Sequence, residues 1–376
     1  MNNGKISVVV VGLGFGECFP GIYLDHPDVS RVAVCEKSQE RVKALTKRYQ
    51  FADVFHDLDE ALASDYDAIH LISGIPDHAC QTLSVLNSGK HCACTVPMAT
   101  TLADLSAIVE AQRRSGRNYM MMETSVYTRQ FLLAEEMKRQ GRFGRIQFLR
   151  GAHYQDMECW PPYWAGLPPM WYATHAVSPL LAFAQTRARR VHCFGSGVMR
   201  PELRAPYGNP YPIETAIFQL EGIPAAAEVT RSLFHCARPY MESFVIYGEN
   251  ACYEWQMEDE PPVLFEATPV VPDEMRKMTA SRPVPPDRQD LLPAGVARHT
   301  MPFQVSSAHT HISFEQGGGH HGSHPHMVHE FVRSIVESRP PRIDAVTAAN
   351  WTAAGICAHE SAMHDGQAVD IPSFGT

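Results

Sequence analysis

The sequence predicts an α/β protein: an N-terminal Rossmann domain plus a C-terminal α+β domain with a large, open, mainly antiparallel sheet. Two observations support this prediction. Over the first 123 residues, β-branched strands alternate with helical stretches, and a glycine loop follows the first strand. After Glu123, strand-like runs follow one another without intervening helices. We therefore expect a Rossmann domain over residues 1–123 and a substrate-binding α+β domain over residues 124–376.

The first domain begins with Ile6–Val11, a continuous apolar run that is typical of a buried parallel strand. Glycines just past two of the helical stretches mark helix ends. Further strands are predicted at Arg31–Cys35, Ala68–Ser73, His91–Cys94 and Tyr119–Met122, and helices at Ser38–Tyr49, His78–Asn87 and Leu102–Ser115. This alternation predicts a parallel sheet with crossover helices.

The second domain is predicted to begin with a helix and then to consist mainly of strands. Helices are expected at Thr128–Gln140, Ala173–Ala184, Pro325–Ser338 and Val346–Met363, and strands at Ile146–His153, Arg190–Gly195, Thr215–Leu220, Ala226–Leu233, Phe244–Tyr247, Ala251–Met257 and Val369–Ile371. Residues 261–304 form a proline-rich segment with nine of the 28 prolines. Because proline disrupts helices and central strands, we expect an ordered excursion over a site or an oligomer arm, without regular helix or sheet.

The bulk composition narrows the class of partner. The net charge is -9 and the sequence contains no basic run, so we expect neither nucleic acid nor an anionic membrane as a partner. The first apolar stretch is only six residues long, which is too short for a signal-peptide core. The ten cysteines show no zinc-ribbon or disulfide spacing. We therefore expect a cytoplasmic protein with reduced cysteines.

A dinucleotide site is predicted at the loop Gly12, Leu13, Gly14, Phe15 and Gly16. Glycines let the backbone approach a pyrophosphate, and helix-start N–H groups meet its charge. Glu36 ends the second strand at a solvent-facing position, where its carboxylate can accept hydrogen bonds from the ribose hydroxyls of NAD. Lys37 and Ser38 could instead hold the 2′-phosphate of NADP. We expect NAD as the preferred cofactor, with NADP as the alternative.

The sequence resembles the Gfo/Idh/MocA family of oxidoreductases. The glycine loop, the Ala33–Glu36 strand end, the Ser73–His78 segment, Gly89–His91, Pro97–Ala99 and the helix carrying His175 carry the resemblance. It implies a Rossmann domain followed by an open sheet domain, hydride transfer at a carbohydrate or cyclitol carbinol, and a homodimer or homotetramer. Beyond the glycine loop, Glu36 and Lys37, it adds further cofactor-binding positions at Ser73, Gly74, Ile75, Pro76, His78, Thr95, Val96 and Pro97.

The sequence departs from the family at two proton-handling positions. The usual Glu-Lys-Pro is here Thr95-Val96-Pro97, and valine can neither hydrogen-bond a reacting hydroxyl nor move its proton. The family's Asp, four residues before a His on one helix face, is here Trp171, so only His175 is retained. We interpret the chain as a member with rebuilt chemistry, although a redox-inactive relative is the alternative.

His175 is the predicted proton-transfer group, because histidine titrates near neutral pH. Glu123 ends the last Rossmann strand near the expected nicotinamide position, and Asp156 follows a predicted strand; His320 completes the catalytic candidates. Each has a structural alternative: a core histidine, an interdomain salt bridge, a turn cap or a structural loop. The predicted substrate-binding residues are Tyr127, His153, Tyr154, Trp160, Trp164, Trp171, His321 and His324.

Residues 317–324, here called the histidine loop, read Gly-Gly-Gly-His-His-Gly-Ser-His and lie in a region with eight of the 19 histidines. Such a loop can bind hydroxyls, exchange protons or hold a metal, and we favour substrate binding with no metal. Some glycosidases related to the family carry a similar loop.

Three functions follow from these observations. The first is an NAD(P)-dependent dehydrogenase or reductase of a sugar, sugar derivative or cyclitol. The second is a glycosidase or lyase that retains NAD and acts through a transient 3-keto sugar and elimination. The third, a non-catalytic NAD-dependent sensor, has no positive support.

Overall fold

The structure, a computed structural model, describes residues 4–304, 311–317 and 319–375. The chain divides into two compact units that are discontinuous in sequence. The first comprises Met1–Thr128, Asp287–Ala349 and Phe374–Thr376, and the second comprises Arg129–Pro286 and Asn350–Ser373. This division differs from the predicted boundary between residues 123 and 124, because part of the predicted second domain groups with the first unit.

The first unit contains a six-stranded, all-parallel sheet in the order β3-β2-β1-β4-β5-β6. Its strands are β1 Ile6–Val11, β2 Val29–Cys35, β3 Asp53–Phe55, β4 Ala68–Leu71, β5 His91–Thr95 and β6 Tyr119–Met122. The strand order reverses between β1 and β4, and ligands of open α/β sheets bind at such a switch point. The predicted Rossmann domain is therefore confirmed, with β3 as a strand that the sequence analysis missed.

The helices of this region are α1 Pro20–Leu24, α2 Gln39–Thr46, α3 Leu58–Ala63, α4 His78–Asn87 and α5 Leu102–Ser115. Side-chain caps explain where two of them begin. The Ser38 Oγ accepts a hydrogen bond from the Arg41 N–H, and the Thr101 Oγ1 accepts one from the Asp104 N–H. Gly116 has a left-handed conformation at φ 62° and ends α5.

From Arg129 onward the structure is richer in strands. In chain order its elements are α6 Arg129–Arg139, β7 Ile146–Tyr154, α7 Thr174–Ala184, β8 Ala188–Ser196, α8 Pro201–Arg204, β9 Ile213–Leu220, β10 Ala226–Ser232, β11 Met241–Gly248, β12 Ala251–Trp255, β13 Val263–Ala267, β14 Met278–Ser281, α9 Ala294–Ala297, β15 Phe303–Gln304, β16 Glu315–Gln316, α10 Ser323–Val336, α11 Ala345–Met363 and β17 Val369–Asp370.

The second unit is built on a nine-stranded sheet in the order β14-β13-β12-β11-β7-β10-β9-β8-β17. Its β7 and β10 strands pair in parallel, whereas the other neighbouring strands are antiparallel. The prediction of a large, mainly antiparallel sheet is confirmed. The expectation that residues 261–304 lack regular sheet was wrong, because β13 and β14 lie in this segment. Both strands are free of proline, and the prolines fall in the connections around them.

The segment 287–349 returns to the first unit through specific bonds. The Met121 N–H donates to the Ile343 carbonyl at 3.1 Å, and the Asn118 side-chain amide donates to the Arg339 carbonyl at 2.8 Å. On α10, Arg333 forms an ion pair with Asp28 at 2.8 Å. These bonds satisfy the edge strand β6 and the turn before β2, which explains why the first unit is completed by a late segment.

None of the helices in the described ranges is sufficiently long and apolar to span a membrane. All ten cysteines lie within those ranges and are free thiols.

Helix α7 approaches strand β7 closely at Gly151. An ideal Cβ at this glycine would lie 2.3 Å from the Ala176 carbonyl oxygen, which belongs to the helix backbone. Only a residue without a side chain fits there. Gly151 thus sets the height of α7 above the sheet, and with it the position of His175 in the first turn of α7.

We predict that Gly151→Ala lowers the free energy of unfolding of the second unit by about 1–3 kcal/mol, because the added methyl group must displace helix backbone. Chemical denaturation measures the change. Gly14→Ala is the control, since its added Cβ has as its nearest neighbour the Arg41 Nη1 atom at 3.8 Å. Equal stability of Gly151→Ala and the wild type would contradict the close approach.

Candidate functional site

The glycine loop directly follows β1 at the switch point of the parallel sheet. Gly12 has φ +85°, and a Cβ there would lie 2.6 Å from the Ile72 carbonyl oxygen. Its N–H donates to the Cys35 carbonyl at 2.9 Å, so the loop is held against the end of β2. A Cβ at Gly16 would meet the Ile72 side chain at 3.1 Å. Close packing therefore requires a glycine at position 12 and leaves little room for a side chain at position 16, and the loop backbone is left to face a ligand.

Regular helix starts late after this loop, as Pro20 predicts. Phe15–Cys18 is a 3₁₀ turn, and α1 begins at Pro20. Proline suits a first helical turn because its missing N–H would have no intrahelical partner there. The first backbone N–H groups after β1 that can face a ligand therefore lie in the turn around Phe15 and Gly16. A pyrophosphate can accept hydrogen bonds from them there.

Glu36 is held against the glycine loop. Its Oε2 accepts a hydrogen bond from the Leu13 N–H at 2.7 Å, and its Oε1 accepts one from the Ser38 N–H at 2.9 Å. The side chain is only 9% exposed, with Arg41 Nη1 at 3.7 Å from Oε2, so the expected solvent-facing position was wrong. Lys37 is exposed. Each carboxylate oxygen retains acceptor capacity for a ribose hydroxyl.

His78 ties together two of the predicted cofactor-binding segments. Its Nδ1 bonds to the Pro97 carbonyl at 2.7 Å and its Nε2 to the Ser73 carbonyl at 3.1 Å. Burial lowers the pKa of this imidazole, but Cys94 and the two carbonyls outweigh burial and raise the pKa to about 9. Both ring nitrogens then donate, because carbonyls can only accept. Through these two hydrogen bonds, His78 links the loop that follows β4 to the loop that follows β5.

The remaining predicted cofactor residues lie on those two loops. Gly74 precedes the 3₁₀ turn Ile75–Asp77, which contains the exposed Pro76. The Thr95 hydroxyl lies 3.4 Å from the Leu71 carbonyl, and the Val96 side chain is 6% exposed. Val96 is thus an apolar residue on the loop where the family resemblance expects a lysine.

Glu123 and Tyr127 are buried in the first unit. The Glu123 Oε1 accepts a hydrogen bond from the Ser125 N–H at 3.0 Å and so caps the 3₁₀ turn Thr124–Val126. The Arg342 guanidinium lies over the Tyr127 ring at 5.5 Å. Glu123 has the cap as a structural role in addition to any chemical one.

The histidine loop packs onto the glycine loop. The Phe15 ring lies 5.6 Å from the rings of both His320 and His324. His320 and His321 have left-handed φ values of 55° and 49°, which are uncommon outside glycine. His324 is buried and its Nδ1 lies 3.3 Å from the Gln316 Oε1. Gly318 of this loop lies outside the described residues.

A buried polar cluster occupies the second unit. His153 lies at the end of β7, His175 in the first turn of α7, and Glu242 at the start of β11, where it is the register partner of His153. The three side chains are 1–4% exposed. One ligating atom from each lies within 4.8 Å of the others, so they are the described residues that could hold a metal ion. We call them the His-His-Glu cluster.

Aromatic hydroxyls surround this cluster. The His175 Nδ1 is 3.9 Å from the Glu242 Oε1, and its Nε2 is 3.4 Å from the Tyr172 hydroxyl. The Tyr240 hydroxyl donates to the Glu242 Oε1, and the Glu242 N–H donates to the Glu258 Oε2 at 2.8 Å. His175 therefore has a carboxylate on one side and a phenol on the other, an arrangement that can move or hold a proton.

Arg231 fixes the backbone around the cluster. Its guanidinium donates to the carbonyls of Tyr172 at 2.8 Å and His153 at 2.9 Å, and also to the Ser232 carbonyl and the Gln155 side chain. Burial lowers the pKa of this guanidinium to about 10, so it stays charged at neutral pH. It is a fixed positive charge beneath His153 and Tyr172.

Other predicted residues of the second unit lie around this cluster or away from it. Asp156 is exposed and caps a turn through the Glu158 N–H at 3.0 Å. Trp164 packs edge-on against Tyr172 at 4.7 Å, with Trp160 at 6.5 Å from Trp164. Trp171 packs on Tyr207 and His359 instead. Tyr154 is half-buried, and burial raises the pKa of its phenol.

The sequence analysis missed Glu242, Tyr172, Tyr240 and Arg231. A signal for Glu242 was present, since a charged residue falls inside an otherwise apolar strand-like run beginning at Met241. The predicted strand began three residues later, at Phe244, and so left Glu242 in a loop.

Comparison with known proteins agrees with the parallel sheet and the glycine loop of the first unit. Residues 6–123 match the Gfo/Idh/MocA family model, which describes an oxidoreductase family with an NAD-binding Rossmann fold. The match covers the N-terminal region of the chain, and it confirms the predicted nicotinamide cofactor and the predicted oxidoreductase class.

Relatives by sequence are more distant. A glycosyl hydrolase family 109 protein of Bacteroides fragilis is 29% identical over 46% of this chain, and the alignment spans only 43% of that relative's length. A family 109 protein of Saccharopolyspora erythraea is 23% identical over 98% of this chain and 83% of its own length. A 1-carboxy-3-chloro-3,4-dihydroxycyclohexa-1,5-diene dehydrogenase of Comamonas testosteroni is 27% identical over 40% of this chain and 38% of its own length.

Solved structures share the whole fold. A levoglucosan dehydrogenase in complex with NADH and levoglucosan has a TM-score of 0.78, with 18% identity over 98% of this chain and all of that chain. A myo-inositol 2-dehydrogenase from Lactobacillus plantarum has a TM-score of 0.72, with 15% identity over 98% of this chain and all of that chain. The similarity in fold extends over 98% of this chain in both comparisons.

We predict that Glu36→Gln shifts cofactor preference toward NADP by roughly tenfold in the ratio of dissociation constants, about 1.4 kcal/mol. The amide removes the negative charge that would repel a 2′-phosphate, and it retains only one acceptor oxygen for the ribose of NAD. Titrations with NAD and NADP measure the ratio. Glu40→Gln, on the exposed side of α2, is the matched control. An unchanged ratio in Glu36→Gln would rule out a carboxylate facing the ribose.

We also predict that the first unit loses stability in mild acid. Burial lowers the pKa of both His70 and His324 to about 3, whereas unfolded histidine titrates near ~6.5. The unfolded state therefore binds more protons between these values, and the stability present above pH ~6.5 is lost as pH falls toward ~3.

Thermal unfolding between about pH 7 and about pH 5 tests this expectation. His324→Gln removes one of the titrations and should flatten the pH dependence of Tm. The exposed His56→Gln is the control and should keep the wild-type slope. Parallel slopes for all three proteins would show that His324 is not held neutral.

Proposed function

We propose that the protein is an NAD-dependent oxidoreductase that transfers a hydride to or from a carbinol carbon of a sugar, sugar derivative or cyclitol. The observation that carries this proposal is the NAD-binding glycine loop with its bound Glu36 carboxylate. The substrate class is supported by structural neighbours that include levoglucosan and myo-inositol dehydrogenases.

NAD supplies the hydride acceptor when it is bound at Gly12–Gly16. Oxidation of the carbinol then removes a hydride from its carbon and a proton from its hydroxyl group. Val96 cannot take that proton. We assign proton handling to the His-His-Glu cluster, with His175 as its central residue, because His175 lies between the Glu242 carboxylate and the Tyr172 hydroxyl.

Glu123 and His320 remain further candidates for the proton, and Asp156 is a weaker one because it is exposed and caps a turn. The predicted substrate contacts of Tyr127, Tyr154 and the tryptophans also remain predictions. So does a homo-oligomer, which is supported by the exposed Phe194 and Ile217 on neighbouring strands β8 and β9.

A second candidate function is supported by the family 109 relatives. An NAD-retaining glycosidase would oxidise C3 of a glycoside, remove the acidified C2 proton, eliminate the aglycone, add water and return the hydride to C3. The names of the relatives and the packing of the histidine loop on Phe15 favour this alternative. It consumes no net NAD.

One experiment separates the two functions. The purified protein is incubated with NAD and a panel of polyols, cyclitols and aryl glycosides, while NADH absorbance and aglycone release are followed together. The proposed dehydrogenase gives NADH in proportion to polyol consumed. Aglycone release without net NADH, from protein that retains NAD through gel filtration, would instead establish the second function.

We predict that His175→Gln lowers kcat by ~10²–10⁴-fold, the range typical of a lost acid–base group. The dissociation constant for NAD should stay near the wild-type value, because the glycine loop is unchanged. Steady-state kinetics and an NAD titration measure both quantities. His192→Gln is the control, since the ring of that exposed histidine bonds to the Gly366 carbonyl and lies outside the His-His-Glu cluster. If His175→Gln keeps more than half of the activity, the role of His175 is structural.

A further inference from the structure

We propose that His153, His175 and Glu242 bind a divalent transition-metal ion, with Zn²⁺ as the expected occupant. Two imidazoles and one carboxylate form a ligand set typical of catalytic zinc, in which the fourth position is left to water or substrate. The three ligating atoms already lie within 4.8 Å of one another. The proposal rests on the second unit alone and is independent of the proposed reaction.

The distances fit a small adjustment toward coordination. Tetrahedral ligands at ~2.0–2.1 Å from zinc are about 3.3–3.4 Å apart. The His175 Nδ1 and the Glu242 Oε1 are 3.9 Å apart, which is too long for a hydrogen bond between them and close to the spacing of two ligands of one ion. The three side chains therefore need to move by about an ångström or less to meet a common cation.

The charge of the site favours a cation. Two carboxyl groups, Glu242 and Glu258, are buried at 1% and 7% exposure, and the neighbouring Arg231 guanidinium is fully buried. Arg231 donates its hydrogen bonds to backbone carbonyls and to Gln155 instead of to either carboxyl group. A divalent ion bound by Glu242 would place positive charge directly beside two buried carboxyl groups.

Neighbouring hydroxyls orient two of the three ligands. The His175 Nε2 lies against the Tyr172 hydroxyl, which leaves Nδ1 as the nitrogen that faces Glu242. The Tyr240 hydroxyl donates to the Glu242 Oε1 and fixes the carboxylate. Metal-binding histidines and carboxylates commonly have such outer partners, because these set the tautomer and the side-chain direction.

The backbone beneath the ligands is rigid. His153 and Glu242 are paired across two central strands, β7 and β11. Arg231 bonds to the carbonyls of His153 and Tyr172, so it holds the end of β7 and the approach to α7 in place. Ligands carried by strands and a helix turn start close to their coordinating positions, which lowers the entropic cost of binding the ion.

The test measures binding of the metal alone. Full-length protein is stripped with a chelator, and Zn²⁺ binding is measured by equilibrium dialysis with metal analysis. We expect about one tight equivalent per chain in the wild type. His153→Gln and Glu242→Gln should each weaken this equivalent by ~10–100-fold or more, because loss of a ligand costs at least as much as loss of an outer partner. Tyr172→Phe should weaken it by ~10–100-fold.

His359→Gln is the matched control. His359 and Glu214 form a buried pair at 2.7 Å in the same unit, but they lie outside the His-His-Glu cluster. This variant should bind Zn²⁺ as the wild type does. Thermal unfolding measures whether each variant is folded. If His153→Gln is unfolded, His153→Asn takes its place, and if Glu242→Gln is unfolded, Glu242→Asp takes its place.

X-ray absorption of the Co²⁺-loaded wild type gives a second readout. We expect nitrogen and oxygen ligands that include two imidazoles. Sulfur in the first shell, no tight equivalent in the wild type, or wild-type affinity in both His153→Gln and Glu242→Gln would overturn the proposal. Zinc binding without polyol oxidation would leave the metal site standing and remove the proposed function, whereas polyol oxidation by a wild-type protein that binds no Zn²⁺ would do the reverse.

Discussion

The buried guanidinium of Arg231 is the constraint on which the second unit depends. A fully buried cation is tolerated only when its donors are satisfied, and here they go to three backbone carbonyls and one side-chain amide. Those carbonyls belong to β7, β10 and the segment before α7. Arg231 therefore holds in place, with one side chain, the strand that carries His153 and the segment before the helix that carries His175. An uncharged residue of similar size would leave several buried carbonyls without partners, each at a cost of about 1–3 kcal/mol.

Much of the first unit could be predicted from local sequence because its signals are local. The strand β1 is an unbroken buried run. Helix α4 begins at His78, as predicted, and α5 ends at Gly116, as predicted. The short β3 and α3 were missed because Asp53–Phe55 has no alternating pattern and is mostly exposed. In the second unit, β13 and β14 were hidden by the prolines of their connections, although both strands are themselves proline-free.

For the candidate sites too, local sequence predicted some of the residues but not the contacts that bring them together. Glu36 was identified by its distance from the glycine loop, but its hydrogen bond to the Leu13 N–H depends on how two loops meet. His153 and His175 were identified from a strand end and from family resemblance. Glu242 was not, because its neighbours come from a strand pairing of residues nearly ninety positions apart, and no local pattern records that register. Convergence of distant side chains is a property of topology, and a single sequence expresses it weakly.

The discontinuity of the first unit has a consequence for how the chain folds during synthesis. The residues that bond β6 and Asp28 are Ile343, Arg339 and Arg333, and they leave the ribosome after the entire segment Arg129–Pro286. The dinucleotide-binding sheet therefore emerges first and stays incompletely covered while Arg129–Pro286 is synthesised. A fragment cut after Thr128 would expose the surfaces that α10 covers. The second unit is discontinuous as well, because it includes Asn350–Ser373, so each unit is completed only after a late segment of the chain has been made.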